Sequence, residues 1–180
     1  VQVDGLGADG RVYRLHSWEQ RSSPVTALTV AIEQAIAWGA GSVGVETDQG
    51  GDAWLSVFRE ARTIVADRAR EQGLHELASR IEAVGFREEK AGAGFGPKAA
   101  RAGRMVGYYE RGAYRHVRGT HDVLVRALRR FGLRKPFDLA DAAYWCCNDL
   151  LEYHEDTRDW PDLAAFSPTG VSRSSPWKVS

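Results

Sequence analysis

The chain has 180 residues, 43% of them hydrophobic and 27% charged, enough for one ordinary domain with a buried core. Twenty-four basic residues balance 24 acidic ones, so overall charge favours no nucleic-acid partner and any basic surface must be local. Cys146 and Cys147 are neighbours, a spacing that excludes the usual zinc sites and a disulfide scaffold, and no apolar run reaches the ~18 residues of a membrane span.

A reducing, intracellular setting is therefore expected. The opening Val1-Gln2-Val3-Asp4-Gly5 has no apolar signal-peptide core. It lacks a starting Met and reads as the inside of a strand, which is the expectation for a piece of a longer protein.

Val1 to Leu6 and Arg11 to Trp18 are rich in β-branched and aromatic residues, with Gly7-Ala8-Asp9-Gly10 between them, a pattern that predicts an antiparallel hairpin. Gly5 to Gly10 also matches G-x-G-x-x-G. A dinucleotide fingerprint needs a helix after its glycines, and a strand-like run follows here, so the match is a decoy. Ser23 and Pro24 suit the cap and first position of a helix whose stripe is Leu28, Ala31, Ile32, Ala35 and Ile36. Ser42 to Glu46 predicts a strand, and strand, helix and strand in this order predict an α/β fold with a crossover.

A long helical region runs from Asp52 to about Ala83, with a break expected near Gly73. Ile81, Val84 and Phe86 suggest an apolar end or a further strand. Arg87 to Pro97 loses periodicity and has alternating glycines, which predicts a loop. Helices are expected over Lys98 to Glu110, Thr120 to Phe131 and Asp138 to about Tyr153, with a short strand at Tyr114 to Val117. The turn-rich remainder reads as a tail.

Two groups of residues carry candidate chemistry. Glu46 ends a strand, and Asp138 and Asp141 open the last helix three residues apart, on one face. Carboxylate oxygens are hard ligands suited to Mg²⁺ or Mn²⁺, and two such ions ~3.5–4 Å apart serve phosphodiester hydrolysis. The same acids also suit plainer roles, as a solvated strand end and as helix-capping residues. The second group is basic: Lys98, Arg101, Arg104, Arg111, Arg115, Arg118, Arg126, Arg129, Arg130, Arg134 and Lys135 are opposed within their stretch only by Glu110 and Asp122. Such a run suits a phosphate backbone, or a solvated helix face. The histidines are scattered, and no serine sits in a nucleophile elbow.

The order of G-x-x-x-D-G-R-V-Y, Ser-Pro opening a helix, V-E-T-D-Q-G-G-D-A-W, G-P-K-A-A-R-A, Y-E-R-G-A-Y-R-H-V and K-P-F-D-L-A-D-A-A-Y-W resembles the C-terminal nuclease domain of phage terminase large subunits, over about Gly5 to Leu150. The resemblance implies an RNase H/RuvC-like mixed sheet flanked by helices over residues 1–155, N-terminally incomplete, followed by a tail over 156–180. It implies a two-metal endonuclease cleaving double-stranded DNA concatemers during packaging in the host cytoplasm, with terminase small subunit and portal protein as partners and no membrane.

In that comparison Glu46, Asp138 and Asp141 are the catalytic and Mg²⁺- or Mn²⁺-binding acids, while Lys98, Arg101, Arg104 and Arg118 contact DNA. His116 falls beside the cleft. Phe137 stands where the family has a further Asp, and the strand bearing the family's first acid lies upstream of Val1. Asp4 is a poor substitute for that acid, and the chain as given is expected to be weakly active or inactive, and less soluble than an extended form. A junction resolvase or transposase of the same fold, or a non-catalytic DNA- or capsid-binding module, are the alternatives.

Overall fold

The computed structural model describes residues 1–48, 50–90, 97–117, 122–130 and 138–156. The predicted hairpin forms from β1 (Gln2–Leu6) and β2 (Val12–Ser17), antiparallel, with a register shift between Val3 and Asp4. Asp9 closes its loop by accepting from the Arg11 backbone N–H at 3.2 Å and the Tyr13 hydroxyl at 2.9 Å. The G-x-G-x-x-G match thus lies in a strand–turn–strand, where no helix follows to receive a phosphate.

Helix α1 (Pro24–Trp38) starts as its sequence predicts. The Ser23 hydroxyl accepts from the Thr26 N–H at 3.2 Å, and Gly39 closes the helix at φ +74°, a left-handed conformation that favours glycine. The helix returns the chain to β3 (Ser42–Glu46). Helices α2 (Ala53–Glu71) and α3 (His75–Glu82) are separated at Gly73, also left-handed at φ +74°. Leu28, Ile32, Phe58, Ala61, Val65 and Ile81 form the core between them. Each aligned residue is removed from water on a helical stripe, at about 25 cal/mol per Å² of apolar surface.

One element departs from expectation. Strand β4 (Gly85–Glu89) takes in Arg87, Glu88 and Glu89, assigned above to a loop. It pairs in parallel with β3, Ser42 opposite Gly85 through Glu46 opposite Glu89. Backbone hydrogen bonds hold this ladder whatever the side chains, so periodicity did not reveal it. The Glu89 side chain lies against Gly44, where an added Cβ would come within 2.9 Å of its carboxylate.

The second half comprises α4 (Lys98–Glu110), β5 (Tyr114–His116), α5 (Asp122–Arg130) and α6 (Asp138–Asp156). Strand β5 pairs in parallel with β2. A second core gathers Val12, Met105, Tyr114, Leu124, Leu139 and Cys147. The fold is mixed α/β. Among the described residues its strands form two sheets, β1-β2-β5 and β3-β4. No described helix is long and apolar enough to cross a membrane. The glycine-rich stretch 91–96, Phe137 and the tail from 157 onward lie outside the described residues.

Candidate functional site: an acidic centre held by two cations

Three segments remote in sequence meet at one point. Glu46 is the last residue of β3. Lys98 and Arg101 lie one turn apart at the start of α4, and Asp138 and Asp141 stand likewise at the start of α6. Arg101 grips Asp141 through one edge of its planar guanidinium, Nε to Oδ1 at 2.7 Å and Nη2 to Oδ2 at 2.8 Å, and its Nη2 also donates to Glu46 Oε1 at 3.0 Å. Lys98 Nζ stands 3.2 Å from Asp138, 3.3 Å from Asp141 and 3.6 Å from Glu46. Arg101 and Asp141 are buried, whereas the Asp138 side chain is 79% exposed.

The charges shape one another. Burial raises the Glu46 carboxyl above its usual range, and repulsion from Asp141 adds to this against the pull of Lys98 and Arg101. Burial works against the Lys98 ammonium, but Asp138, Asp141 and Glu46 together keep it above its usual value. Helix geometry alone accounts for part of this. Two acids in the first turn of α6 favour its dipole, but two cations in the first turn of α4 oppose theirs, and Pro97 offers no capping side chain. The placement of Lys98 and Arg101 is explained by the acids they face, not by the helix that carries them.

The sequence-predicted residues divide accordingly. Glu46, Asp138, Asp141, Lys98 and Arg101 converge. Arg104 does not join them; its Nη1 donates to the hydroxyl of buried Tyr144 at 3.0 Å. His116 lies against Tyr109, ring nitrogen to hydroxyl at 2.5 Å, away from the acids. Arg118 lies outside the described residues. Asp138 and Asp141 share a helix end but not an environment, since only Asp141 is buried.

Comparison with known proteins finds no matching family model, curated protein or solved structure. What the centre can do is therefore argued from its geometry. Three carboxylates are the right donor type for a hard divalent cation. Their arrangement is that of an ion-pair cluster: Arg101 takes both Asp141 oxygens, and no group of three His, Cys, Asp or Glu side chains among the described residues is placed to hold a metal ion.

A second charged site escaped the sequence reading. Asp4 and Arg14 are both fully buried at the side chain, with Arg14 Nε 2.5 Å from Asp4 Oδ1 and Nη2 3.0 Å from Oδ2. The Tyr114 hydroxyl is 3.2 Å from both Asp4 oxygens, and Gln2 also accepts from Arg14. Burial pushes the Asp4 carboxyl up to about 7 against the pull of Arg14. The signal was present in the hairpin register, which sets Asp4 directly opposite Arg14.

Proposed function

We propose that the centre formed by Glu46, Asp138 and Asp141 belongs to a metal-dependent endonuclease that cleaves double-stranded DNA, of the kind found in the large subunit of viral DNA-packaging terminases. The supporting observation is the meeting of these acids with Lys98 and Arg101 from three separate segments. The RNase H-like fold is part of the same proposal, supported by the β1–β2 hairpin, the α1 crossover and the parallel β3–β4 pair. Packaging partners and action in the host cytoplasm follow from that reading alone.

Mg²⁺ or Mn²⁺, when bound, would supply charge to polarise a phosphate and activate water. The chain's residues impose a condition on this. Lys98 and Arg101 neutralise the carboxylates, so a cation must take Asp141 and Glu46 from them. Of the two, Lys98 is the exposed one, so once released its ammonium is the group that a phosphate backbone would meet, while Arg101 is buried.

The decisive experiment is cleavage of supercoiled plasmid by the complete protein with Mg²⁺ or Mn²⁺, beside its Glu46→Ala form. Metal-dependent nicking that falls at least ~100-fold in the variant supports the proposal, a size usual for loss of an essential catalytic group. The ion pairing itself favours a second reading, a DNA- or capsid-binding module whose acids and cations are mutually satisfied. Salt-dependent DNA binding with no cutting at any metal concentration would decide for it. Cutting confined to branched substrates would instead indicate a resolvase.

A further inference from the structure

The two cations of the acidic centre are held in different ways. The Arg101 side chain is only 3% exposed. It spans Asp141 with two hydrogen bonds, reaches Glu46 Oε1 with a third, and sets its guanidinium carbon 5.4 Å from the centre of the Trp145 ring. Planar, buried and engaged on both edge and face, it is fixed in place, and its departure would strand Asp141 in the interior. The Lys98 side chain is 40% exposed. Its ammonium sits on a long flexible stem and can turn out into water without opening the fold.

The oxygens that face Lys98 form a set of their own. Its Nζ stands 3.2 Å from Asp138 Oδ1, 3.3 Å from Asp141 Oδ2 and 3.6 Å from Glu46 Oε2, one oxygen from each acid. Arg101 holds Glu46 by the other oxygen, Oε1. Its bond to Asp141 Oδ2 leaves that oxygen a second lone pair. The two cations therefore do not occupy the same position. Arg101 orders Glu46 and Asp141 from the interior, and Lys98 fills the point on which all three acids converge.

The spacing around that point is set by an ammonium. Hard divalent cations take carboxylate oxygens at about 2.0–2.6 Å, well inside the distances found here. The acids are spread around Nζ, which accounts for the lack, among the described residues, of any acid group placed to hold a metal ion.

We propose that Lys98 is a tethered place-holder: its ammonium occupies the divalent-cation position of the centre and must swing out before a metal ion binds, while Arg101 stays and positions Glu46 and Asp141. This role, which rests on the metal-dependent reading above, adds regulation to it. A form competent to bind for only a fraction of the time has its apparent affinity lowered by that fraction. An ammonium seated about 90–99% of the time thus weakens metal binding about 10- to 100-fold. Cation entry and release of the ammonium become one event, so the charge that Lys98 can offer a phosphate is presented only by the loaded centre.

The test follows Mn²⁺ binding to the protein, without DNA, through the EPR signal of the free aqua ion. Lys98→Gln is expected to tighten Mn²⁺ binding at least about tenfold. Arg104→Gln removes a cation of the same helix that lies outside the centre, and is expected to change binding by less than about twofold. In the unaltered protein, saturating Mn²⁺ is expected to speed acetylation of Lys98 at least about threefold by mass spectrometry as its ammonium is released. Lys90, whose side chain is 73% exposed, is the control that stays unchanged. Equal tightening in Lys98→Gln and Arg104→Gln, or no tightening with unchanged Lys98 labelling, overturns the place-holder and leaves the metal-dependent reading standing. Weaker binding by Lys98→Gln overturns it too, since Lys98 would then support the metal position. Absence of Mn²⁺ binding from both the unaltered protein and Lys98→Gln overturns the place-holder and the metal-dependent reading together.

Discussion

Arg101 and Asp141 meet edge to edge, both nearly closed to solvent, with two hydrogen bonds of 2.7 and 2.8 Å. A buried pair of this kind offsets its own desolvation only while complete. Arg101→Ala is expected to cost about 3 kcal/mol, because it strips buried Asp141 of both guanidinium hydrogen bonds and leaves it only the Lys98 ammonium at 3.3 Å. The double change Arg101→Met with Asp141→Leu is expected to cost far less than the sum of its parts. Urea unfolding of the single and double variants measures both; additive losses would contradict the pairing.

Asp138 separates function from stability. Its side chain is largely exposed and its one described partner is Lys98, which Glu46 and Asp141 also engage. Asp138→Ala is therefore expected to change unfolding free energy by no more than about 1 kcal/mol, including the loss of a favourable first-turn acid. Under the nuclease proposal it abolishes metal-dependent cleavage in the complete protein. A folded Asp138→Ala protein that still cuts would remove this residue from the ligand set.

Much of this was legible in the chain, and the reason differs by element. Ser23, Pro24 and Gly39 bound α1 through local chemistry, which sequence carries directly. The acids and cations were identifiable by residue type and spacing. Their mutual neutralisation was not, since it depends on α4 and α6 starting side by side. Asp4 illustrates the limit most clearly: in sequence it is one more acid in a strand, and only its closure against Arg14, Tyr114 and Gln2 makes it a buried ion.

That burial makes stability pH-dependent. The folded Asp4 carboxyl titrates at about 7, above its ordinary 3.8. Between these values the folded state holds a proton that the unfolded chain releases, so stability from this group is full below about pH 4 and is lost as pH rises through about 7. Glu33, Glu46 and Glu89 are also raised, burial first in each case, and tilt the profile the same way. Asp4→Asn removes only the Asp4 share. Its Tm relative to the parent is expected to improve from pH 5 to pH 8; a difference constant over that range would place the folded Asp4 near its ordinary value.

The basic surface makes the last prediction. Arg126, Arg129 and Arg130 are exposed on α5, and Arg111 and Arg115 are exposed near β5. The last-turn arginines also favour the α5 dipole, so helix stability alone would explain Arg129 and Arg130. It does not explain Arg126 or Arg115. If the surface binds duplex DNA, each phosphate contact releases counterions, and log affinity falls with log salt by about 0.9 per contact. Changing Arg126, Arg129 and Arg130 together to Glu is expected to weaken duplex binding at least ~100-fold at 50 mM salt and to flatten the salt slope by about 2–3. Circular dichroism guards against loss of the helix, and fluorescence anisotropy across a salt series reads both quantities. An unchanged slope with intact helix content would show that DNA does not lie on this face, leaving α5 a solvated helix.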